Sequence, residues 1–308
     1  MSLARTLLLE AAESRWLAGQ MSRRGFARRA VRRFMPGEDT QDALGAAQLL
    51  AAEGRGTLVT QLGEALSRLD EATRVRDHYL EVFREIRTRG LPTSVSVKPT
   101  QLGIDQSLPA CREHVLSLTD AAARAGSSLW LDMEDHNYVD RTIELYRAAR
   151  ERHDRTGIAI QAYLFRTPKD IDGLLEAKSW IRLVKGAYRE PATVAYPAKR
   201  DVDLAYYDLA IRLLDAARSG RATPVFGTHD MPLIRRIIAR AGELELPPEA
   251  YEIHMLYGIR NGDQKTLVRE GQVVKTLISY GKAWFKWYMR RLAERPANVW
   301  FVMKSLVG

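Results

Sequence analysis

Short runs of β-branched and aromatic residues alternate with longer stretches along most of the chain. In order they are GTLVTQLGE (56–64), SVSVKP (94–99), SLWLDMED (128–135), IAIQAYLF (158–165), IRLVKGAY (181–188), TPVFGTHD (223–230), YEIHMLY (251–257) and VVKTLIS (273–279). Short apolar runs of this kind read as strands buried on both faces. The segments between them repeat apolar residues at helical spacing. In EATRVRDHYLEVFREIRTRG, for example, Val75, Tyr79, Val82 and Phe83 fall on one face. Strands alternating with helices predict a parallel sheet, and eight such units predict a (β/α)8 barrel. A doubly wound sheet is the competing arrangement. Residues 1–54, rich in Ala, Leu, Arg and Glu, predict a helical arm ahead of a barrel over 55–308, and no composition break divides the rest.

Composition narrows the class without naming a chemistry. The 308 residues, 46% hydrophobic and 28% charged, suffice for one large α/β domain. No apolar run approaches the roughly 18 residues of a membrane span. The opening segment lacks a small-residue cleavage site and carries Glu10 and Glu13, so no signal or transit peptide is expected. The single Cys111 excludes an internal disulfide framework, and a cytoplasmic protein is expected. The net charge of +9 draws on SRRGFARRAVRRF, with Arg pairs at 23/24, 28/29 and 32/33 and Phe26, Val31 and Phe34 between them. On a helix this gives a basic flank beside an apolar one. The plainer reading is a solvated face; the functional one is peripheral attachment at the inner, anionic face of a membrane. No nucleic-acid partner is expected, because no zinc-finger, RNA-recognition or helix-turn-helix signature accompanies the segment.

Chemistry collects where the strands end, which in a barrel is where active sites lie. The ends carry Glu64, Lys98, Asp132 with Glu134, Gln161 with Tyr163, Arg182 with Lys185, Thr228 with His229, then His254 and Tyr257. Three chemistries fit such a lined pocket. A metal hydrolase would draw ligands from Asp132, Glu134, His136, His229 and His254. An aldolase would use Lys98 or Lys185 as a Schiff-base amine. A cofactor oxidoreductase would use the basic residues to hold phosphates and an electron-rich ring. Neither a Gly-x-Gly-x-x-Gly nor a Walker loop is present, and HxH and HExxH are absent too. The segment GKAWFKWYMRRLAERPAN reads as a last helix stopped by Pro296, with Trp284, Trp287, Arg290 or Arg291, and Glu294 at helical spacing. Adjacent arginines on one helix suit bidentate capture of a small carboxylate.

From GTLVTQLGEAL through MRRLAERPAN the chain resembles the monofunctional bacterial proline dehydrogenases. SVSVKPTQLG, LDMEDH, QAYL, RLVKGAYREPATVAYP, GTHD, EIHMLYGIR and RRLAERPAN occur in that family's order and near its spacing. The resemblance implies a distorted (β/α)8 barrel with non-covalent FAD at the strand ends. It also implies oxidation of L-proline to 1-pyrroline-5-carboxylate in proline catabolism, with a quinone reoxidising the flavin. Because the chain ends soon after the double arginine, the second dehydrogenase domain of the bifunctional relatives is not expected. By the same resemblance Arg182 lies near the reactive flavin N5. Lys185 with Gly186, Ala187 and Tyr188, together with Gln161, Thr228, His229, His254 and Glu294, would hold the cofactor. Arg290, Arg291 and Lys98 would grip the substrate carboxylate, and Asp132 would orient Lys98 or face the amine. Tyr188 and Leu256 would pack on the ring, while Glu64 would latch the first arginine.

Four positions depart from the family. His254 stands where Gln is common, Leu277 where an aromatic is usual, Ser279 where proline is, and Trp287 where Tyr is expected. The flavin and carboxylate machinery is retained while the ring pocket is remodelled around Leu277 and Trp287. Hydroxyproline or another modified cyclic amino acid is therefore the alternative substrate. A Schiff-base aldolase remains the rival enzyme class, and a barrel that binds without turnover is the rival outside enzymes.

Overall fold

The computed structural model describes residues 31–63 and 66–293, with the backbone alone for Lys286 and residues 290–293. Eight parallel strands close into a barrel in chain order: β1 (Gly56–Gln61), β2 (Thr93–Val97), β3 (Leu129–Leu131), β4 (Thr156–Gln161), β5 (Ser179–Val184), β6 (Ala222–Gly227), β7 (Glu252–Leu256) and β8 (Val274–Tyr280). β1 pairs with β8 over its whole length, from Gly56 opposite Lys275 to Gln61 opposite Tyr280. The closed sheet replaces the doubly wound alternative. Helix α1 (Thr40–Ala52) precedes the barrel. Helices α2 (Leu69–Arg89), α3 (Leu108–Arg124), α4 (Val139–Arg152), α5 (Thr167–Leu175), α6 (Lys199–Arg218), α7 (Met231–Glu243) and α8 (Asn261–Arg269) cover the strands, and α9 (Trp284–Ala293) follows β8. Of the arm expected over 1–54, residues 1–30 lie outside the described residues.

Each of the eight apolar runs is a strand, but most ladders stop short of the runs' ends. β3 pairs over three residues where the run spans 128–135. The polar residues after Leu131 leave the ladder to form the site. Sheet and helices sandwich the main core. Val82, Phe83 and Ile86 of α2, Val115 and Leu118 of α3, and Leu209 and Leu213 of α6 pack there against outward strand residues such as Leu129, Leu131, Ile181 and Leu183. Alternation then sends Trp130, Trp180 and Arg182 into the barrel. The interior holds its own small cluster of Leu58, Trp130 and Val225, against which Trp180 and Leu277 pack. Trp130 sits opposite Gly157 in register, and a Cβ at Gly157 would meet the indole at 2.5 Å.

The segment before α1 crosses to the far end of the chain. The Phe34 ring lies 6.1 Å from that of Tyr288, and the Trp284 Nε1–H donates to Glu38 Oε1 at 3.1 Å. A Cβ at Gly258 would collide with the Arg33 carbonyl, so only glycine lets the segment lie so close to the loop after β7. Residues 31–38 therefore form a strap that touches α9 through Phe34 and Glu38.

Candidate active site

Three charged side chains meet at the carboxyl ends of β2, β3 and β5. Asp132 continues the β3 direction, its N–H donating to the Val97 carbonyl at 2.8 Å. Its carboxylate accepts from Lys98 Nζ at 3.1 Å, from Ser96 Oγ at 2.7 Å and from Arg182 Nη2. Arg182 Nη2 also donates to Ser96 Oγ at 3.0 Å. The guanidinium carbon lies 4.9 Å from the Trp130 ring centroid, within cation–π range. Burial pushes the Asp132 carboxyl up, but Lys98, Arg182 and the Ser96 hydroxyl outweigh it and hold the group below its usual range. Burial pulls Arg182 below its usual value, opposed by Asp132. Two cations share the Asp132 carboxylate, and the buried Glu134 and Glu252 lie close enough to act on Lys98 and Arg182 respectively. Ser96, two residues before Lys98 and so on the same side of β2, lies within the strand and not at its end, and a serine inside such a run carries no signal of a site.

Arg182 is 4% exposed, yet its Nη1 has no hydrogen-bond partner among the described residues; the same is true of Gln161 Oε1, at the end of β4. Buried donors and acceptors of this kind are normally satisfied. Arg182 offers donors and Gln161 an acceptor, the complement of a heterocycle carrying both.

The loop after β5 completes this face. Lys185 Nζ donates to Asp203 Oδ1 at 2.5 Å and to Asp230 Oδ2 at 2.8 Å. Burial draws the Lys185 pKa down, but the two carboxylates raise it above its usual value. Gly186 has φ +115°, and a Cβ there would enter the Tyr163 ring at 2.5 Å, so the KGAY turn closes only with glycine. Glu190 anchors the same loop to β3's end, accepting from the His136 N–H at 2.9 Å and the Tyr163 hydroxyl at 3.3 Å. Between the starts of α6 and α7 runs a groove of about 390 Å³ lined by Lys199, Arg200, Asp203, Asp230 and Arg236.

Thr228 and His229 follow β6; His229 Nε2 accepts from the Leu256 N–H at 2.9 Å. His254 lies inside the barrel, its ring 5.4 Å from that of Trp130. It donates from Nε2 to Glu252 Oε2 at 2.8 Å, and Glu252 is paired to Lys275 at 2.7 Å. Leu256 ends β7, Leu277 packs on the Trp130 cluster, and Trp287 is buried on α9. Ala187 and Tyr188 sit in the loop after β5. Arg290 and Arg291 are on α9, their side chains outside the described atoms; Glu64 and Glu294 lie outside the described residues. The histidines read as candidate metal ligands are engaged with separate partners, His136 with Glu190, His229 with Leu256 and His254 with Glu252.

Comparison with known proteins bears on the same barrel. The proline dehydrogenase family profile matches residues 43–304. Proline dehydrogenase 1 of Bacillus subtilis (strain 168) is 35% identical over 281 residues, 91% of each chain. The proline dehydrogenase of Deinococcus radiodurans is 36% identical over 286 residues, 89% of each. Among solved structures, proline utilization A from Bdellovibrio bacteriovorus, inactivated by N-propargylglycine, superposes with a TM-score of 0.80 at 24% identity. That match covers 90% of this chain and 34% of the other, so the chain spans about a third of the longer protein and shares its barrel fold. With the profile spanning most of the barrel and the Bacillus and Deinococcus relatives aligned nearly end to end, the chain belongs to the proline dehydrogenase family of oxidoreductases.

Proposed function

We propose that the protein oxidises L-proline to 1-pyrroline-5-carboxylate with non-covalently bound FAD, a quinone being the onward acceptor. The observation that carries the reading is the Lys98–Asp132–Arg182 cluster, with Arg182 Nη1 and Gln161 Oε1 buried and without a partner among the described residues. Those two atoms fit the polar edge of an isoalloxazine. Lys185 is paired to Asp203 and Asp230, which line the same groove as Lys199 and Arg200, and these three basic side chains suit the cofactor's phosphates. When bound, FAD supplies the hydride acceptor.

The chain's own residues do the rest. Arg182, fixed by Asp132 and Ser96, would hold the ring system of the cofactor and supply positive charge beside it. Lys98, together with Arg290 and Arg291 from α9, holds the substrate carboxylate, and Tyr188 and Leu256 pack on its ring. Asp132, kept ionised by its neighbours, fixes the Lys98 ammonium. Glu64 latches the first arginine, and Glu294, with Thr228, His229, His254 and the Gly186–Ala187 turn, contributes to the cofactor side. The protein holds the ring carbon beside nitrogen toward the acceptor, with the amine presented neutral.

Purified protein should be yellow, with absorbance near about 450 nm. Incubated with L-proline and a quinone analogue, it should release an imine two hydrogens lighter than proline. Colourless protein, or yellow protein that leaves proline unchanged in mass, contradicts the reading. A second substrate reading rests on Leu277, which packs against Leu58, Trp130 and Val225 inside the barrel. A shorter side chain there favours a substituted ring such as trans-4-hydroxy-L-proline. A change of one pocket residue alters discrimination by roughly 1–3 kcal/mol. Specificity constants for the two substrates in the parent and in Leu277→Tyr decide it. A strong parental preference for proline, unmoved by Leu277→Tyr, rules the substituted ring out.

A further inference from the structure

We infer that Trp130 is a positioning residue for Arg182: its indole is the floor on which the guanidinium lies. The inference rests on the reading that Arg182 faces the bound flavin. Trp130 is fully buried at the heart of the barrel and takes part in neither the cofactor nor the substrate set. Its surroundings are shaped to it. Gly157 lies opposite in register and leaves the space its Cβ would fill, 2.5 Å from the indole carbons. The Trp180 ring leans on it at 5.9 Å with a 40° tilt, and the His254 ring meets it edge-on at 5.4 Å and 67°. Below this stack Lys275 lies 5.7 Å from the Trp180 ring, so the two aromatic rings separate two cations, Arg182 above and Lys275 beneath.

Contacts from two directions then act on Arg182. Asp132 and Ser96 tie Nη2 at one side, and the guanidinium carbon lies over the Trp130 ring on another. Hydrogen bonds to Nη2 alone leave a guanidinium free to swing about that anchor. A ring under its face removes the swing, leaving Nη1 as the free donor of a fixed plane. The His254 side chain completes the support without adding charge. Glu252, an acceptor only, accepts a hydrogen bond from Nε2–H, and burial lowers the His254 pKa to about 4, so the ring against Trp130 is neutral at working pH.

The test uses flavin-loaded Trp130→Leu and Trp130→Phe beside the parent. The parent's own flavin band and its bleaching by L-proline report on the functional reading, whereas differences between parent and variants report on Trp130. In Trp130→Leu the limiting rate of flavin reduction should fall roughly 3- to 30-fold, the span of a desolvated cation–π contact. The dissociation constant for proline should stay within about twofold of the parent. The flavin midpoint potential should become more negative, because a guanidinium that swings away stabilises the reduced anion less. Trp130→Phe keeps a ring beneath Arg182 and should shift both quantities in the same direction by less. It carries the test if the leucine variant does not fold. An indole that only fills space would lower the melting temperature of both variants without moving the potential. A parental potential and reduction rate in either loaded variant overturns the inference.

Discussion

At the scale of single residues, the charges inside the barrel set how the protein responds to acid. His254 and Glu252 form one system whose protonation states oppose those of an unfolded chain. Burial lowers the His254 pKa to about 4, against an ordinary value near 6.5. The unfolded chain therefore takes up a proton that the folded one refuses, and stability falls as pH drops from about 6.5 to about 4. For Glu252, burial works upward, but Lys275 and His254 outweigh it and bring the pKa to about 2. Its contribution is present above about 4.5 and lost as pH falls toward about 2. Denaturant midpoints measured across pH should thus decline in two overlapping stages. His254→Gln should flatten the upper stage, worth on the order of 3 kcal/mol in the parent. An unchanged slope between pH 6.5 and 4 in that variant would mean that the imidazole is not the titrating group.

The meeting of Lys98, Asp132 and Arg182 was legible at this scale, since they sit at or near the ends of runs whose alternation points them inward. Trp130 and Lys275 were not. Within an apolar run a Trp reads as core, and a single Lys in VVKTLIS gives no sign of the Glu252 partner that lets it lie inside a barrel. Asp203 and Asp230, the partners of Lys185, lie 18 and 45 residues further along, a separation no local pattern bridges.

Among the elements, α9 carries the most consequence, because the paired arginines proposed to grip the carboxylate stand on it. Trp284 and Tyr288, four residues apart on one face, meet the strap formed by residues 31–38. Losing one partner of a charge-assisted bond costs roughly 2–4 kcal/mol, so Arg290→Met or Arg291→Met should lower kcat/KM for proline by about 30- to 1000-fold. Near-parental values in both variants would remove the assignment. The strap adds a separate expectation. Phe34→Ala deletes its ring contact with Tyr288, and we expect it to raise KM for proline more than it lowers kcat, with a stability loss of roughly 1–2 kcal/mol. A lower melting temperature with KM unchanged would show that the strap supports the fold without aligning the helix. The sequence marked residues 22–34 as basic and amphipathic, but nothing local reveals that residues 33–38 reach the loop after β7 and the last helix, more than two hundred residues away.

For the molecule as a whole, barrel closure was legible because eight runs of one kind recur between helical segments, and a parallel sheet buried on both faces leaves that signature. The fit of the interior was not, since it depends on which residues face each other across strands. Gly157 opposite Trp130 is the sharpest case. Gly157→Ala drives a methyl into the indole, so β3 and β4 must part or the ring must turn. Overpacking of this kind costs roughly 1–3 kcal/mol. Because the ring supports Arg182, the variant should also reduce its flavin more slowly. Calorimetry together with reduction kinetics checks both effects, and a variant with parental stability would show that the interior yields more easily than its packing suggests. Among the described residues, no helix is long and apolar enough to cross a membrane.

The most direct test of the central claim is anaerobic rapid mixing of L-proline with the parent and with Arg182→Met, following the flavin band at about 450 nm. The parent should bleach in a proline-dependent phase. Arg182→Met should keep most of its flavin yet bleach far more slowly, because the other contacts proposed for the cofactor remain and the charge proposed to stabilise its reduced form is lost. Equal bleaching rates in parent and variant would contradict the role given to Arg182 here, and a parent whose flavin proline leaves oxidised would contradict the function itself.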